Sequence, residues 1–183
     1  MRLEPLSEAH VPDLASVGLD ERIWRYMRYG NIRTNADLLA WVRMLLQLQE
    51  AGSDLPFAVI WESSGRAVGC TRYMAISHEH RAVEIGGTWY GLECQGTLVN
   101  PACKYLLLRH AFETLDCVRV QLKTDRRNER SQRAIEKLGA VKEGILRNHM
   151  ILEDGTLRDS VFYSILPGEW PPIKARLEEI LGL

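Results

Sequence analysis

The stretch "VEIGGTWYGLECQGTLVNPACKYLLLRHAFETLDCVRVQLKT", residues 83–124, decides how the chain is read. Its first part alternates as a strand and carries two adjacent glycines, Gly86 and Gly87. Glycine inside a strand marks a bulge or the close approach of another group. A helix follows, with Asn100 predicted as its N-cap and Pro101 at its first position, where a missing N–H costs nothing. The stretch closes on a second strand, "VRVQLKT". A strand–helix–strand passage wants a right-handed crossover with its two strands parallel. The free amides and dipole at the helix start form a ready anion site.

Working outward, "RLEPL" reads as an opening strand and residues 7–18 as a first helix capped by Ser7. "TNADLLAWVRMLLQLQEAG" repeats Leu38, Trp41, Val42 and Leu45 at helical spacing. "PFAVIWE", "RAVGCTRYMAI" and "RAVEIGGTWY" are three strands separated by turn residues. After the crossover come the helix "NERSQRAIEKLGA", two strands joined by a tight "EDG", and a short C-terminal amphipathic helix. The predicted order is β-α-α-β-β-β-α-β-α-β-β, an α/β chain with one mixed sheet flanked by helices. The expected division is one domain over 1–183: acceptor-side elements in 1–54, a core in 55–166, and a final helix in 167–183.

With 183 residues the chain can bury a sizeable core. Its net charge of −1 leaves no global field to draw nucleic acid or an anionic membrane. No apolar run reaches the roughly 20 residues that span a bilayer. The N-terminus lacks the apolar segment of a signal peptide. Cys70, Cys94, Cys103 and Cys117 form no C-x-x-C pair, so reduced thiols in a cytoplasmic protein are expected, with no metal. Arg126, Arg127, Arg130, Arg133 and Lys137 crowd one segment, but without a groove-reading motif or aromatic platform they read as a solvated face rather than a nucleic-acid patch.

The words "EIG" (84–86), "HAFE" (110–113), "NERSQRAIEKLGA" (128–140), "EGILR" (143–147) and "DGTLRDSVFYSI" (154–165) resemble the GNAT superfamily of N-acetyltransferases. Within it they are most similar to the branch containing the ribosomal-protein N-terminal acetyltransferases. The resemblance spans roughly residues 55–166. It implies a GNAT-like, centrally twisted and splayed sheet, acetyl-CoA as co-substrate, and acetyl transfer to a primary amine, a protein N-terminus included. The acyl-CoA loop of the superfamily reads Gln/Arg-x-x-Gly-x-Gly/Ala. Here it is Glu93-Cys94-Gln95-Gly96-Thr97-Leu98, so only the middle glycine survives and pyrophosphate geometry is put in question.

The resemblance places the pantetheine arm along the strand at Gly87, Thr88 and Trp89, with a freed N–H near Gly87 or Thr88 polarising the thioester carbonyl. It places the phosphates at Gln95, Gly96, Thr97, Leu98 and Asn100. Lys104 is expected to add a mobile positive charge, and Arg130 and Arg133 further cations. Asn128 doubles as helix cap and pantetheine partner. Strand alternation sets Glu84 opposite Val83 and Ile85 as candidate general base, with His78 and His80 as substitutes and a plain ion-paired strand glutamate as the other reading. The superfamily's tyrosine acid would fall seven residues after Asn128, at Ile135, which cannot donate. Ser131 and Tyr163 are the candidates to assist the leaving thiolate, Ser131 being equally readable as a helix-cap residue.

The acceptor implied by the resemblance is a small-molecule or peptide amine, expected near Trp24, Tyr26, Tyr29, Trp89, Tyr90 and His149, although aromatics at such positions are more often core residues than ligand contacts. A homodimer through the apolar final strand and C-terminal helix is in keeping with the sequence. The alternative function is a non-catalytic acyl-CoA-binding sensor, which the eroded glycine loop and missing tyrosine favour.

Overall fold

The computed structural model describes residues 1–30 and 32–183. The elements are β1 (Arg2–Pro5), α1 (Val11–Gly18), α2 (Glu21–Trp24), α3 (Asn35–Glu50), β2 (Leu55–Trp61), β3 (Arg66–Ser77) and β4 (Ala82–Tyr90). Then follow α4 (Val99–Glu113), β5 (Arg119–Asp125), α5 (Glu129–Leu138), β6 (Val141–Ile151), β7 (Leu157–Ile165) and α6 (Trp170–Leu181). The seven strands form one sheet in the order β1-β2-β3-β4-β5-β7-β6. Every neighbouring pair is antiparallel except β4 and β5, which are parallel as the crossover requires.

Two apolar layers hold the sheet. On one face Val83, Ile85, Val120, Leu122 and Val161 pack against Tyr105, Leu108, Ile135, Leu138 and Trp170 of α4, α5 and α6. On the other, Ala58, Ile60 and Cys70 meet α1, α2 and α3. Trp24 anchors that second layer, its ring 5.4 Å from Trp41 and 5.2 Å from Trp89. The Thr34 side chain accepts from Asp37 N, and the Asp37 carboxylate accepts from Thr34 N in return, a capping box worth about 1 kcal/mol to α3.

Three details differ from the sequence expectation. A short extra helix, α2, lies between the first two, too brief for periodicity to show. Helix α4 starts at Val99 with Leu98 at its N-cap position, so Asn100 and Pro101 sit within the first turn. Asn100 does not cap, because its Oδ1 accepts from Tyr90 Oη at 3.2 Å. Strand β7 is interior, between β5 and β6, so it presents no edge to a second copy; the outer edge is β6.

The feature that positions the site is the short pairing of β4 with β5. It runs only through Ala82↔Arg119, Val83↔Val120 and Glu84↔Gln121. Beyond Glu84 the two strands part, while β4 continues to Tyr90 and β5 to Asp125. A bulge in β4 opposite Thr71 lies on the diverging stretch: Arg72 pairs with Gly86 but Cys70 with Trp89. Gly87 takes φ +57, and an added Cβ would lie 2.7 Å from Arg72 Nε, so only glycine fits. One extra residue reverses the facing of everything after it. Thr88 therefore points to the α4 side and Trp89 into the α1–α3 layer.

Candidate active site

The parted strands make a slot whose wide end meets the N-termini of both α4 and α5. The loop before α4 turns at Gly96, φ +79, where an added Cβ would meet nothing within 4 Å. Thr97 Oγ1 donates to Cys94 O at 2.7 Å and accepts from Val99 N at 3.3 Å, standing in for the cap that Leu98 cannot supply. Gln95 Nε2 donates to Tyr90 O at 3.0 Å, and Gln95 Oε1 accepts from Arg130 Nη1 at 2.6 Å. Arg130 thus ties the start of α5 to the loop. Arg133 forms an exposed pair with Glu129 at 3.2 Å and does not reach the loop. At α5, Asn128 Oδ1 accepts from Ser131 N at 3.1 Å, which caps the helix.

Two helix starts, an open loop backbone and one guanidinium therefore converge on one end of the slot. Such a set suits a phosphorylated ligand, because free N–H groups and aligned dipoles favour anions there. The loss of the superfamily's last loop glycine costs little here. Leu98 sits at φ −72, an ordinary angle for any residue.

Lys104 departs from its expected role. It is buried rather than mobile, and Nζ donates to Thr88 Oγ1 at 2.9 Å. Thr88 Oγ1 also lies 2.8 Å from Thr71 Oγ1. Burial pulls the Lys104 pKa down to about 8, with no carboxylate bonded to it in compensation among the described residues. The lysine braces the bulge from the α4 side. Trp89 departs as well: its indole fills the α1–α3 layer, so only its backbone borders the slot.

Glu84 stands where the strands part, 2% exposed. Its Oε2 accepts from Gln121 Nε2 at 2.8 Å and Lys123 Nζ at 2.6 Å, both on β5. On the face opposite Val83 and Ile85 the carboxylate is therefore held in a polar clamp. Oε1 accepts no protein hydrogen bond among the described residues and lies 3.0 Å from where a Cβ on Gly86 would sit, facing along β4 toward the bulge. The carboxylate has one oxygen fixed and one turned to the slot.

The remaining candidates separate clearly. His78 and His80 lie in the turn before β4, at the zipped end, away from the slot. Tyr163 is buried and its hydroxyl donates to Glu136 Oε1 at 3.0 Å. Burial together with Glu136 pushes its pKa up to about 12, and it is committed to α5. Trp24 is core. Tyr29 Oη accepts from Nη2 of Arg72, and that guanidinium also pairs through Nη1 with Asp54 at 3.0 Å. His149 Nδ1 lies 3.0 Å from Ser160 Oγ on the face that carries Glu84 and Lys123. Burial, with Lys123 and Arg158 nearby, holds His149 below the ordinary histidine value.

Sequence reading missed Gln121, Lys123, Arg72 and Arg158. Alternation in "RVQLKTD" puts Gln121 and Lys123 on one face, a signal that was present. Nothing local ties either to Glu84, 37 and 39 residues earlier.

The family model described as "Acetyltransferase (GNAT) domain" matches residues 1–141. The crystal structure of a putative acetyltransferase from T. thermophilus superposes with a TM-score of 0.89 at 43% identity, covering 98% of this chain and 93% of that one. The "Putative ribosomal N-acetyltransferase YdaF" of Bacillus subtilis is 32% identical over 107 residues. That alignment takes in 58% of this chain and 57% of the relative's own length. Mycobacterium smegmatis RimJ, solved with CoA-disulfide, shares the fold with a TM-score of 0.83 at 19% identity, over 98% of this chain and 88% of its own. The match over residues 1–141 and the parted β4 and β5 agree: the chain belongs to the GNAT family of N-acetyltransferases, which draw an acetyl group from acetyl-CoA.

Proposed function

We propose that this protein transfers the acetyl group of acetyl-CoA to a primary amine, by direct attack of the amine on the thioester. The observation that carries this reading is the slot itself, with β4 freed from β5 beyond Glu84 and two helix N-termini at its mouth. The loop at Gln95–Leu98, Asn100 and Arg130 receives the phosphates. Backbone of β4 from Gly87 to Trp89 pairs with the pantetheine amides, and Asn128 borders the same arm. Lys104 supports that backbone through Thr88 rather than touching the phosphates.

Chemically, a bond forms from the amine nitrogen to the acetyl carbon and the bond from that carbon to sulfur breaks. An amide N–H at the bulge stabilises the charge that gathers on the carbonyl oxygen. Glu84 Oε1, directly or through a water, takes the proton the amine must lose. Gln121 and Lys123 hold the other oxygen so that Oε1 keeps its aim. The departing thiolate belongs to a thiol that titrates near about 8.5, so a hydrogen bond suffices where no strong acid is present. The Ser131 hydroxyl, at the start of α5, supplies it.

The test is a thiol-release screen with acetyl-CoA against mixed amines and short peptides. Release with at least one acceptor, lost in Glu84→Gln, is the expected result. Binding of acetyl-CoA without release for any amine would instead favour a cofactor sensor, the reading to which Ile135 in place of an acid and the engaged Tyr163 point.

A further inference from the structure

Alternation and register place one row of side chains on the acceptor face of the sheet. Ser160 is paired with Asp125 and Phe162 with Lys123, so Arg158, Ser160 and Phe162 share the face of Gln121, Lys123 and Glu84. Arg158 is the unusual member. It is only 8% exposed, yet no carboxylate lies within ion-pair distance of it among the described residues. The two acids whose charges act on it are each bonded to another cation: Glu84 to Lys123 and Asp125 to Arg127.

The guanidinium spends two of its five donors on neutral oxygens. Nε donates to Ser160 Oγ at 3.0 Å and Nη1 to Tyr26 O at 3.3 Å. Nη2 has no protein partner among the described residues, and it is not one of the side-chain nitrogens sealed from solvent. A buried cation left unpaired is costly, and such groups are ordinarily matched by an anion. Around it stand Lys123, whose Nζ lies 5.9 Å from the Phe162 ring centre, and His149, bonded to the same Ser160 and held toward its neutral form by burial. Glu84 and Asp125 attract Arg158 from a distance, but each is already paired, so the three cations Lys123, Arg127 and Arg158 outnumber the two carboxylates next to the proposed base.

We propose that Arg158 receives a carboxylate of the acceptor, so that the amine substrate bears an anionic group close to the amine that is acetylated. The inference rests on the acetyl-transfer reading and narrows its substrate class. The carboxylate has two sources, a free amino acid or an acidic side chain near a peptide N-terminus. A polyamine, which brings further cations, is disfavoured by the same charge.

Thiol release is measured with matched acceptors: alanine against alaninamide for the free amino acid, and the peptides Ser-Glu-Ala-Ala against Ser-Gln-Ala-Ala for the acidic side chain, with spermidine alongside. In the wild type the carboxylate member of at least one pair should show kcat/KM about tenfold higher, carried by KM, as one charge-assisted hydrogen bond provides. The pair that shows it names the source. Arg158→Gln should erase the preference while retaining CoA binding, and Arg158→Lys should keep part of it. Equal rates within both pairs, a preference surviving in Arg158→Gln, or spermidine as the best acceptor would each overturn the proposal. Thermal stabilisation of the CoA complex by the N-acetylated acid of each pair against its carboxylate-free partner (N-acetylalanine against N-acetylalaninamide, and the two N-acetylated peptides) gives a readout independent of turnover. A larger shift with the acid, lost in Arg158→Gln, is expected, and no difference counts against the carboxylate site. If CoA binds but no amine releases thiol, acetyl transfer itself fails, which the stabilisation readout distinguishes from failure of the Arg158 assignment.

Discussion

Lys123 Nζ and Glu84 Oε2 lie 2.6 Å apart across the last point at which β4 and β5 are joined. The pair closes the narrow end of the slot and leaves Glu84 Oε1 facing it. Removing the base should cost about 10²-fold or more in kcat, the usual scale of general base catalysis. Glu84→Gln tests this with little change of shape. Lys123→Met should cost less, about tenfold, because the carboxylate stays but loses its aim. Lys123→Arg should recover part of that loss. The measurement is thiol release under saturating acetyl-CoA, and unchanged turnover in Glu84→Gln would remove Glu84 from the chemistry.

Gly87→Ala places a Cβ on a left-handed residue against the Arg72 side chain. Backbone strain of this kind costs about 1–3 kcal/mol, and the crowding adds to it. Urea unfolding should show that loss, and CoA affinity should fall because the bulge must shift. Gly144→Ala on the edge strand β6 meets nothing within 4 Å and should change stability by less than about 0.5 kcal/mol.

Lys104 makes a signed prediction about pH. Its folded pKa, about 8, lies below the unfolded value of 10.5. Between those values the unfolded chain holds a proton that the folded chain has released, so stability contributed through this group rises as pH rises. Below about 8 both states are charged and the burial penalty is fully felt. The stability of wild type relative to Lys104→Met should therefore improve from about pH 8 to about pH 10, by up to about 3 kcal/mol at roughly 1.36 kcal/mol per unit. A flat difference across that range would mean that Lys104 is solvated.

Arg130 and Arg133 make a contrast within one helix. Arg130 reaches the loop through Gln95, whereas Arg133 is held by Glu129 on the surface. Arg130→Ala should raise KM for acetyl-CoA by about tenfold, in line with loss of a hydrogen bond to a charged group. Arg133→Ala should leave it within about twofold. Equal effects would mean that the two guanidinium groups share the phosphates.

Much of the architecture was legible because it rests on short-range regularities. Leu38, Trp41, Val42 and Leu45 announce α3, and the strand–helix–strand passage at residues 83–124 forces a parallel pair. The tandem glycines at 86 and 87 mark the bulge. The site was legible only where one residue type carries one backbone requirement, as at Gly87 and at Asn128, whose cap depends on a neighbour three residues on. Lys104 was misread because its helix position says nothing about which way the side chain turns; the flip at Gly87 brings Thr88 toward it. The direction of the Trp89 side chain was hidden for the same reason, since one bulged residue exchanges the two faces of the strand.

From the residues alone came the order of elements apart from the short α2, the crossover, the place of the bulge and an anion-ready helix start, all consequences of local periodicity and backbone preference. The three-dimensional arrangement alone decided that Glu84 is clamped by Gln121 and Lys123, that Arg130 rather than Arg133 meets the loop, and that Arg158 stands buried with no acid at ion-pair distance among the described residues. Those relationships join residues more than thirty positions apart or depend on what is missing from a neighbourhood. Register and burial decide both, and neither is written in any single stretch of the chain.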